Sequence, residues 1–241
     1  MPTVVHLAVV IPVFNEAACI DEVLESWRIQ LDGMSIEYEI LVLDDGSSDN
    51  TAALVDGMAA RWPRLRVARE EHAGHGPTIH KGYTRARGDW ILQIDGDGEV
   101  DPEDFEKFWA LRERFDLVIG RRIGRRAGAS RRIVSVIAAF SVRLLFGPGV
   151  SDPNCPYRLW KPAALQNLLS AVPQARFAPN LLLTALALRR HLRIHEEPIS
   201  ARPRRAGTTS LLRWKLWRAA FSTVFGLVAL AIDIKHRREH A

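Results

Sequence analysis

The stretch that decides the fold is Leu7-Ala8-Val9-Val10-Ile11-Pro12-Val13-Phe14-Asn15-Glu16. Its first seven residues form a short, continuous apolar run rich in Val and Ile, the pattern of a strand covered on both faces in a parallel sheet. Phe14-Asn15-Glu16 then leaves the sheet. Over residues 17 to 31, Ile20, Val23, Leu24, Trp27 and Leu31 fall at helical spacing, so this segment is expected to lie as a helix against that sheet. A second strand, Tyr38 to Leu43, runs into Asp44-Asp45-Gly46-Ser47-Ser48-Asp49, a turn-forming cluster suited to cap a helix from Thr51 to Arg61.

The alternation continues. Arg66 to Arg69 is a third candidate strand, Thr78 to Ala86 a helix, and Trp90 to Ile94 a strand that ends in Asp95-Gly96-Asp97-Gly98-Glu99. A helix over 102 to 114 and a strand from Leu117 to Gly120 follow. Such an order predicts a Rossmann-like α/β fold, a mostly parallel sheet flanked by helices, with ligands gathering outside the carboxyl ends of the strands. Asn15-Glu16, Asp44-Asp45 and Asp95 to Glu99 all sit at strand ends, so the topology alone should collect them in one crevice.

After residue 125 the alternation gives way to two apolar helical segments. In Arg131 to Phe146 the polar positions Arg132, Ser135 and Arg143 form a narrow stripe with Ala139. In Leu211 to Ile234 the stripe is Lys215, Arg218 and Ser222, opposite Trp214, Trp217, Phe221, Val224 and Val228. The uncharged part, Ala219 to Ile232, is shorter than the ~20 residues a spanning helix needs. Basic stripe, tryptophans and wide apolar face suit a helix lying among headgroups, with the earlier segment as a second foot; packing on the core or on a second subunit is the alternative.

Composition sets the frame. With 241 residues, 47% hydrophobic and 25% charged, the chain is globular and large enough for one main domain. A formal charge of +5 suits a phosphate-bearing partner, whether nucleotide, nucleic acid or anionic lipid. The arginines cluster between Arg121 and Arg132 and again between Arg202 and Arg218, whereas the acids concentrate in the first half. Cys19 and Cys155 have neither disulfide-framework nor zinc spacing, and the amino end has no basic segment of a signal peptide, so a cytoplasmic setting is expected.

Asp95 and Asp97, one residue apart on a turn that Gly96 and Gly98 keep tight, can both face a divalent cation, with Glu99 placed to complete the set. Hard oxygen ligands select Mg²⁺ or Mn²⁺, and few protein ligands leave positions open for a diphosphate. The plain alternative is an acidic turn in solvent.

Val10 to Glu16, Leu43 to Thr51 and Asp95-Gly96-Asp97 resemble, in order and spacing, family 2 glycosyltransferases of the GT-A fold. Gly149-Val150-Ser151-Asp152 to Tyr157-Arg158, together with Arg204-Arg205-Ala206-Gly207, is most similar to the polyprenyl-phosphate group that includes dolichyl-phosphate mannose synthase. The resemblance covers roughly residues 7 to 210. It implies that Pro12, Phe14 and Glu16 line a nucleoside pocket, that Asp45 hydrogen-bonds the base, and that Asp95 and Asp97 hold the metal with Glu99 in contact. Arg204 would reach the phosphates, while Asp152 and Arg158 would border the acceptor.

Residues 1–125 would then form the nucleotide-sugar half of one domain, 126–210 the acceptor half, and 211–241 the membrane-associating end. The implied reaction is inverting transfer of a hexose from a UDP- or GDP-sugar to dolichyl or undecaprenyl phosphate, by a peripheral enzyme on the cytoplasmic face of a membrane, with no nucleic acid partner. Asp97, Arg204 and Asp152 would carry it. Transfer to a glycan hydroxyl, with Asp152 or Asp101 as base, is the nearest alternative; a non-catalytic nucleotide-binding scaffold is another, against which the retention of both Asp95 and Asp97 argues. Three departures stand out: His75 between Gly74 and Gly76, Cys155-Pro156-Tyr157 where Ser-Gly-Phe is frequent, and an end without clear transmembrane helices. Cys155 is expected to be a small buried residue, and His72, His75 and His80 to be surface or supporting side chains.

Overall fold

The computed structural model describes residues 5–124, 129–172, 178–202 and 225–231. Seven strands form one sheet: β1 (Leu7–Val13), β2 (Tyr38–Asp44), β3 (Leu65–Arg69), β4 (Trp90–Gln93), β5 (Leu117–Ile123), β6 (Arg158–Trp160) and β7 (Ile194–Ser200). They lie in the order β3-β2-β1-β4-β6-β5-β7, parallel throughout except for β6, which runs against both β4 and β5. The helices are α1 (Ile20–Gly33), α2 (Thr51–Ala59), α3 (His75–Arg85), α4 (Phe105–Leu111), α5 (Ala129–Phe146), α6 (Pro162–Leu169) and α7 (Pro179–Arg189).

Every residue of β1 and β2 is buried, as the unbroken apolar runs require. Their register pairs Val13 with Asp44, and β4 pairs Gln93 with Val10. The loops after these three strands therefore leave the sheet side by side. A Cβ on Gly96 would stand 2.7 Å from Val13 Cγ1, so only glycine lets the turn after β4 approach β1 this closely.

Four departures from the sequence reading have local causes. Helix α3 begins at His75, not Thr78, because Gly74 takes φ +93° and Pro77 falls in the first turn, where no amide hydrogen is needed for an intrahelical bond. The helix expected over 102–114 is α4 with a 3₁₀ turn at each end, Pro102–Asp104 and Arg112–Arg114. Strand β5 runs on to Ile123 because β7 pairs with it as far as Ser200. The elements β6, α6, α7 and β7 were not anticipated; β6 and β7 flank β5, so one sheet continues across residue 125.

The two parts of the chain also share a core. Trp27 of α1 packs its ring 5.8 Å from those of Phe105 and Tyr157, and Phe108 meets Tyr157 edge-on at 4.6 Å. Helix α3 lies so close to β1 and β2 that a Cβ on Gly82 would run into Val10 and Leu43. Gly82→Val should accordingly cost about 1–3 kcal/mol by overpacking, seen as a lower urea midpoint with an unchanged slope; an unchanged midpoint would mean that α3 does not seat against β1 this tightly.

Candidate active site

The loop after β1 is stitched to the loop after β2 by side chains that accept backbone hydrogen bonds. Asn15, at φ +56°, takes N–H bonds from Ser48 (2.8 Å) and Asp49 (3.3 Å) on its Oδ1. Ser47 Oγ accepts from Asn15 N, Thr51 Oγ1 from Glu16 N, and Asp49 Oδ2 from Ala17 N. Of the three residues expected to line a nucleoside pocket, Pro12 is buried within β1 and Glu16 is 6% exposed, which leaves Phe14 as the open surface. Its ring stacks on His72, centroids 4.3 Å apart and 24° between planes.

Asp45, 3% exposed, sits beneath this pair. Its Oδ1 accepts from Ala73 N (2.9 Å), and its Oδ2 accepts from Gly74 N (3.0 Å) and lies 2.9 Å from His72 Nδ1. Gly46, φ +72°, carries the chain past His72 N where a Cβ would be tight. Asp45 therefore fixes the loop after β3, and only one lone pair of Oδ1 is left over for a base.

The turn after β4 presents Asp95 and Asp97. Asp95 keeps 28% side-chain exposure and, among the described residues, has long polar contacts to Gln93 Nε2 at 3.4 Å and His75 Nε2 at 3.9 Å. Asp97 Oδ1 accepts from Glu99 N at 3.0 Å, which with Gly98 at φ +68° closes the turn. Glu99, on the same turn, is tied to β5: its Oε2 lies 3.3 Å from Arg122 Nη1. Among the described residues no three His, Cys, Asp or Glu side chains form a ready-made metal cage. Two oxygen donors on a strand-end turn nevertheless fit a Mg²⁺ or Mn²⁺ ion whose other positions are filled by a diphosphate.

Arg122 of β5 ties this turn to the far side of the crevice. It is 6% exposed and grips Asp152 with two bonds, Nε to Oδ2 at 2.8 Å and Nη2 to Oδ1 at 2.9 Å. Glu196 of β7 holds the same loop from beneath, accepting from Ser151 N, Ser151 Oγ and Asp152 N. Beside Arg122 opens a cleft of about 930 Å³ whose walls include Arg121, Arg143, Val136 and Phe140. Asp101, the other candidate base, pairs with Arg202.

Arg158 does not border the acceptor with its side chain. It is fully buried, and its guanidinium donates to Cys155 O (2.7 Å), Pro153 O (2.5 Å) and Thr184 Oγ1 (3.0 Å), so it shapes the loop that follows Asp152. Arg204 lies outside the described residues. Of Leu211 to Ile234 only 225–231 is described: it is helical, with Leu227 and Leu230 buried in the core and Phe225 77% exposed. Among the described residues no helix is long and apolar enough to cross a membrane.

Residues 8–156 match the model of glycosyl transferase family 2. The chain belongs to that family. This glycosyltransferase is 29% identical over 178 residues to the undecaprenyl-phosphate 4-deoxy-4-formamido-L-arabinose transferase of Pseudomonas savastanoi, a match covering 73% of this chain and 53% of that protein. The enzyme of the same name from Edwardsiella ictaluri is 29% identical over 183 residues, covering 74% and 56%. The chain thus spans about half the length of the curated relatives it matches. Among solved structures it is similar to glucosyl-3-phosphoglycerate synthase from Mycobacterium tuberculosis in complex with Mn²⁺, UDP and glucosyl-3-phosphoglycerate: TM-score 0.71, 21% identity, 94% of this chain and 80% of that one. It is also similar to TarS from S. aureus in complex with UDP-GlcNAc: TM-score 0.60, 18% identity, covering 90% and 66%. These likenesses confirm the GT-A fold.

The site residues that the sequence reading passed over in this family 2 member are Arg122 and Glu196; His72 is the half-exposed supporting side chain expected, with partners that the sequence did not name. Arg122 was one of six arginines in a run, and charge pattern alone does not single out the one that folds inward. Cys155 is the buried residue expected, its thiol pushed up to about 12 by burial. Two outcomes follow for the acceptor loop. Cys155 should resist thiol reagents in the native state at pH 8 and react at once in denaturant. Arg158→Met should lower stability by about 1–3 kcal/mol, since the Cys155 carbonyl loses its guanidinium donor and Pro153 O and Thr184 Oγ1 each lose one bond, measured by urea unfolding; wild-type stability would show that the guanidinium does not hold the loop.

Proposed function

We propose that this glycosyltransferase moves a hexose from a UDP- or GDP-sugar onto a polyprenyl phosphate, working as a peripheral enzyme on the cytoplasmic face of a membrane. The observation that carries the reading is the cleft beside Arg122, the residue that pairs with Glu99 on the turn after β4: it combines exposed arginines, Arg121 and Arg143, with the apolar side chains Val136 and Phe140. An acceptor with an anionic head and a hydrocarbon tail matches both. Val136, Phe140 and Leu144 recur every four residues on α5 and are 61%, 64% and 71% exposed, a stripe suited to lipid. The undecaprenyl-phosphate acceptor in the relatives' names supports the same class, and the UDP and Mn²⁺ of the structural neighbours favour a UDP-sugar.

In this reading Asp95 and Asp97 hold Mg²⁺ or Mn²⁺, which neutralises charge on the departing nucleoside diphosphate. Phe14 and His72 support the base. An oxygen of the acceptor phosphate attacks the anomeric carbon, and the bond from that carbon to the donor's diphosphate oxygen breaks, with inversion. A phosphate is already anionic at neutral pH, so the step needs no general base. Both oxygens of Asp152 are held by Arg122, which fits a positioning role better than proton abstraction from a hydroxyl. Arg204 is assigned to the phosphates on its motif alone.

Turnover with UDP- and GDP-hexoses on undecaprenyl phosphate tests this directly. EDTA and Asp97→Ala should each lower transfer at least about a thousandfold without unfolding the protein, in keeping with loss of a charge-stabilising group. Phe140→Ser should raise KM for the long-chain acceptor and leave nucleotide affinity unchanged. Transfer to a glycan hydroxyl but to no lipid phosphate would replace this acceptor class, and full activity in EDTA would remove the metal. Flotation with anionic liposomes should be lost at high salt; salt-resistant binding would contradict a peripheral attachment.

A further inference from the structure

His72 stands three residues beyond β3 and is held on two sides. One face of its ring stacks on Phe14. Its Nδ1 lies 2.9 Å from Asp45 Oδ2 and 3.1 Å from the Asp45 carbonyl oxygen. The carbonyl can only accept, and Oδ2 already accepts from Gly74 N, so the proton between them belongs to Nδ1. In the neutral ring this leaves Nε2 with a bare lone pair. Nε2 has no hydrogen-bond partner among the described residues, and the side chain is 57% exposed.

The result is an acceptor nitrogen fixed in orientation at the edge of an aromatic surface. Uracil and guanine carry an N–H at the central ring position of their pairing edge, N3 and N1 respectively, and can donate to it. Cytosine N3 and adenine N1 offer a lone pair at that position, which an acceptor repels. We propose that His72 is a specificity-determining residue for the donor, accepting from the ring N–H of uracil or guanine and thereby excluding cytosine and adenine nucleotides. The proposal rests on the nucleotide-sugar reading given above and adds to it the residue that reads the base.

The same geometry explains why a histidine, and not only the buried Asp45 carboxylate, matters here. Asp45 faces Ala73 N, Gly74 N and His72 and keeps one lone pair of Oδ1; toward His72 its part is to set the tautomer and the angle of the ring. Substituting His72 leaves the two backbone bonds to Asp45 in place, and a half-exposed ring is not needed for the core.

The test is calorimetric titration of UDP, GDP, CDP and ADP, each with Mn²⁺, into the wild type, His72→Asn and His72→Phe. The wild type should prefer UDP or GDP over CDP and ADP by about tenfold or more, the scale of one hydrogen bond gained against one repulsion. In His72→Asn the amide can turn to offer either an N–H or a carbonyl, and the preference should fall below about threefold as CDP binding improves. In His72→Phe the stack remains and the acceptor is gone, so the preferred nucleotide should weaken while CDP does not. An undiminished preference in both variants, or no preference in the wild type, overturns the assignment to His72. Binding of none of the four nucleotides by the wild type would overturn the nucleotide-sugar reading itself, a result separable from the others because it involves no substitution.

Discussion

Parallel pairing of β1 with both β2 and β4 is the constraint on which the site depends. Strands hydrogen-bonded in the same direction end on the same edge, and their register sets how closely the following loops meet. Val13 opposite Asp44 brings Asn15 within reach of Ser48 and Asp49, and Gln93 opposite Val10 delivers Asp95 and Asp97 beside them. Burial of both faces holds that register, because a one-residue slip would alter every side-chain contact of two fully buried strands. Gly96 then permits an approach that a side chain would block, and Gly46, at φ +72°, one that a side chain would crowd.

A second constraint is electrostatic and joins the two sides of the crevice. Arg122, almost buried, stands between Glu99 on the turn after β4 and Asp152 on the loop before β6. A buried cation with two carboxylates is stable only while both stay in place, and removal of one partner is costly. The turn that carries Asp95 and Asp97 and the loop that borders the cleft are thus held at a fixed separation. Arg158 does similar work without a carboxylate: burial depresses its pKa, and three neutral acceptors take up its donors. Arg122 and Arg158 thus give the loop around Asp152 a rigid backing.

The first five strands and the three polar clusters were legible in the sequence because buried parallel strands are continuous apolar runs and their loops are abruptly polar. The same logic failed beyond residue 125. Helix α7 is buried on all sides from Pro179 to Ala187, so it has no polar stripe by which to show its period. Strand β6 is three residues long, and β7 carries His195, Glu196 and Glu197 at half-buried positions, neither of which resembles an apolar run. For the site, a motif marks Asp95 and Asp97, but Arg158 is read from position along the chain, and position does not show which partner a long side chain meets. His72 was weighed as a metal ligand or surface residue; its stack on Phe14 and its bond to Asp45 join residues 58 and 27 positions apart, contacts that no local spacing encodes.

The central claim is that two carboxylates at the end of β4 make a metal site that a nucleoside diphosphate completes. Electron paramagnetic resonance of Mn²⁺ measures this without turnover. The account predicts weak Mn²⁺ binding to the protein alone, binding strengthened by about tenfold or more when UDP is added, in line with Mn²⁺ sharing its coordination between carboxylates and phosphates, and loss of that gain in Asp95→Ala and in Asp97→Ala. Mn²⁺ affinity indifferent to UDP, or a UDP-dependent gain that survives removal of both carboxylates, would contradict it.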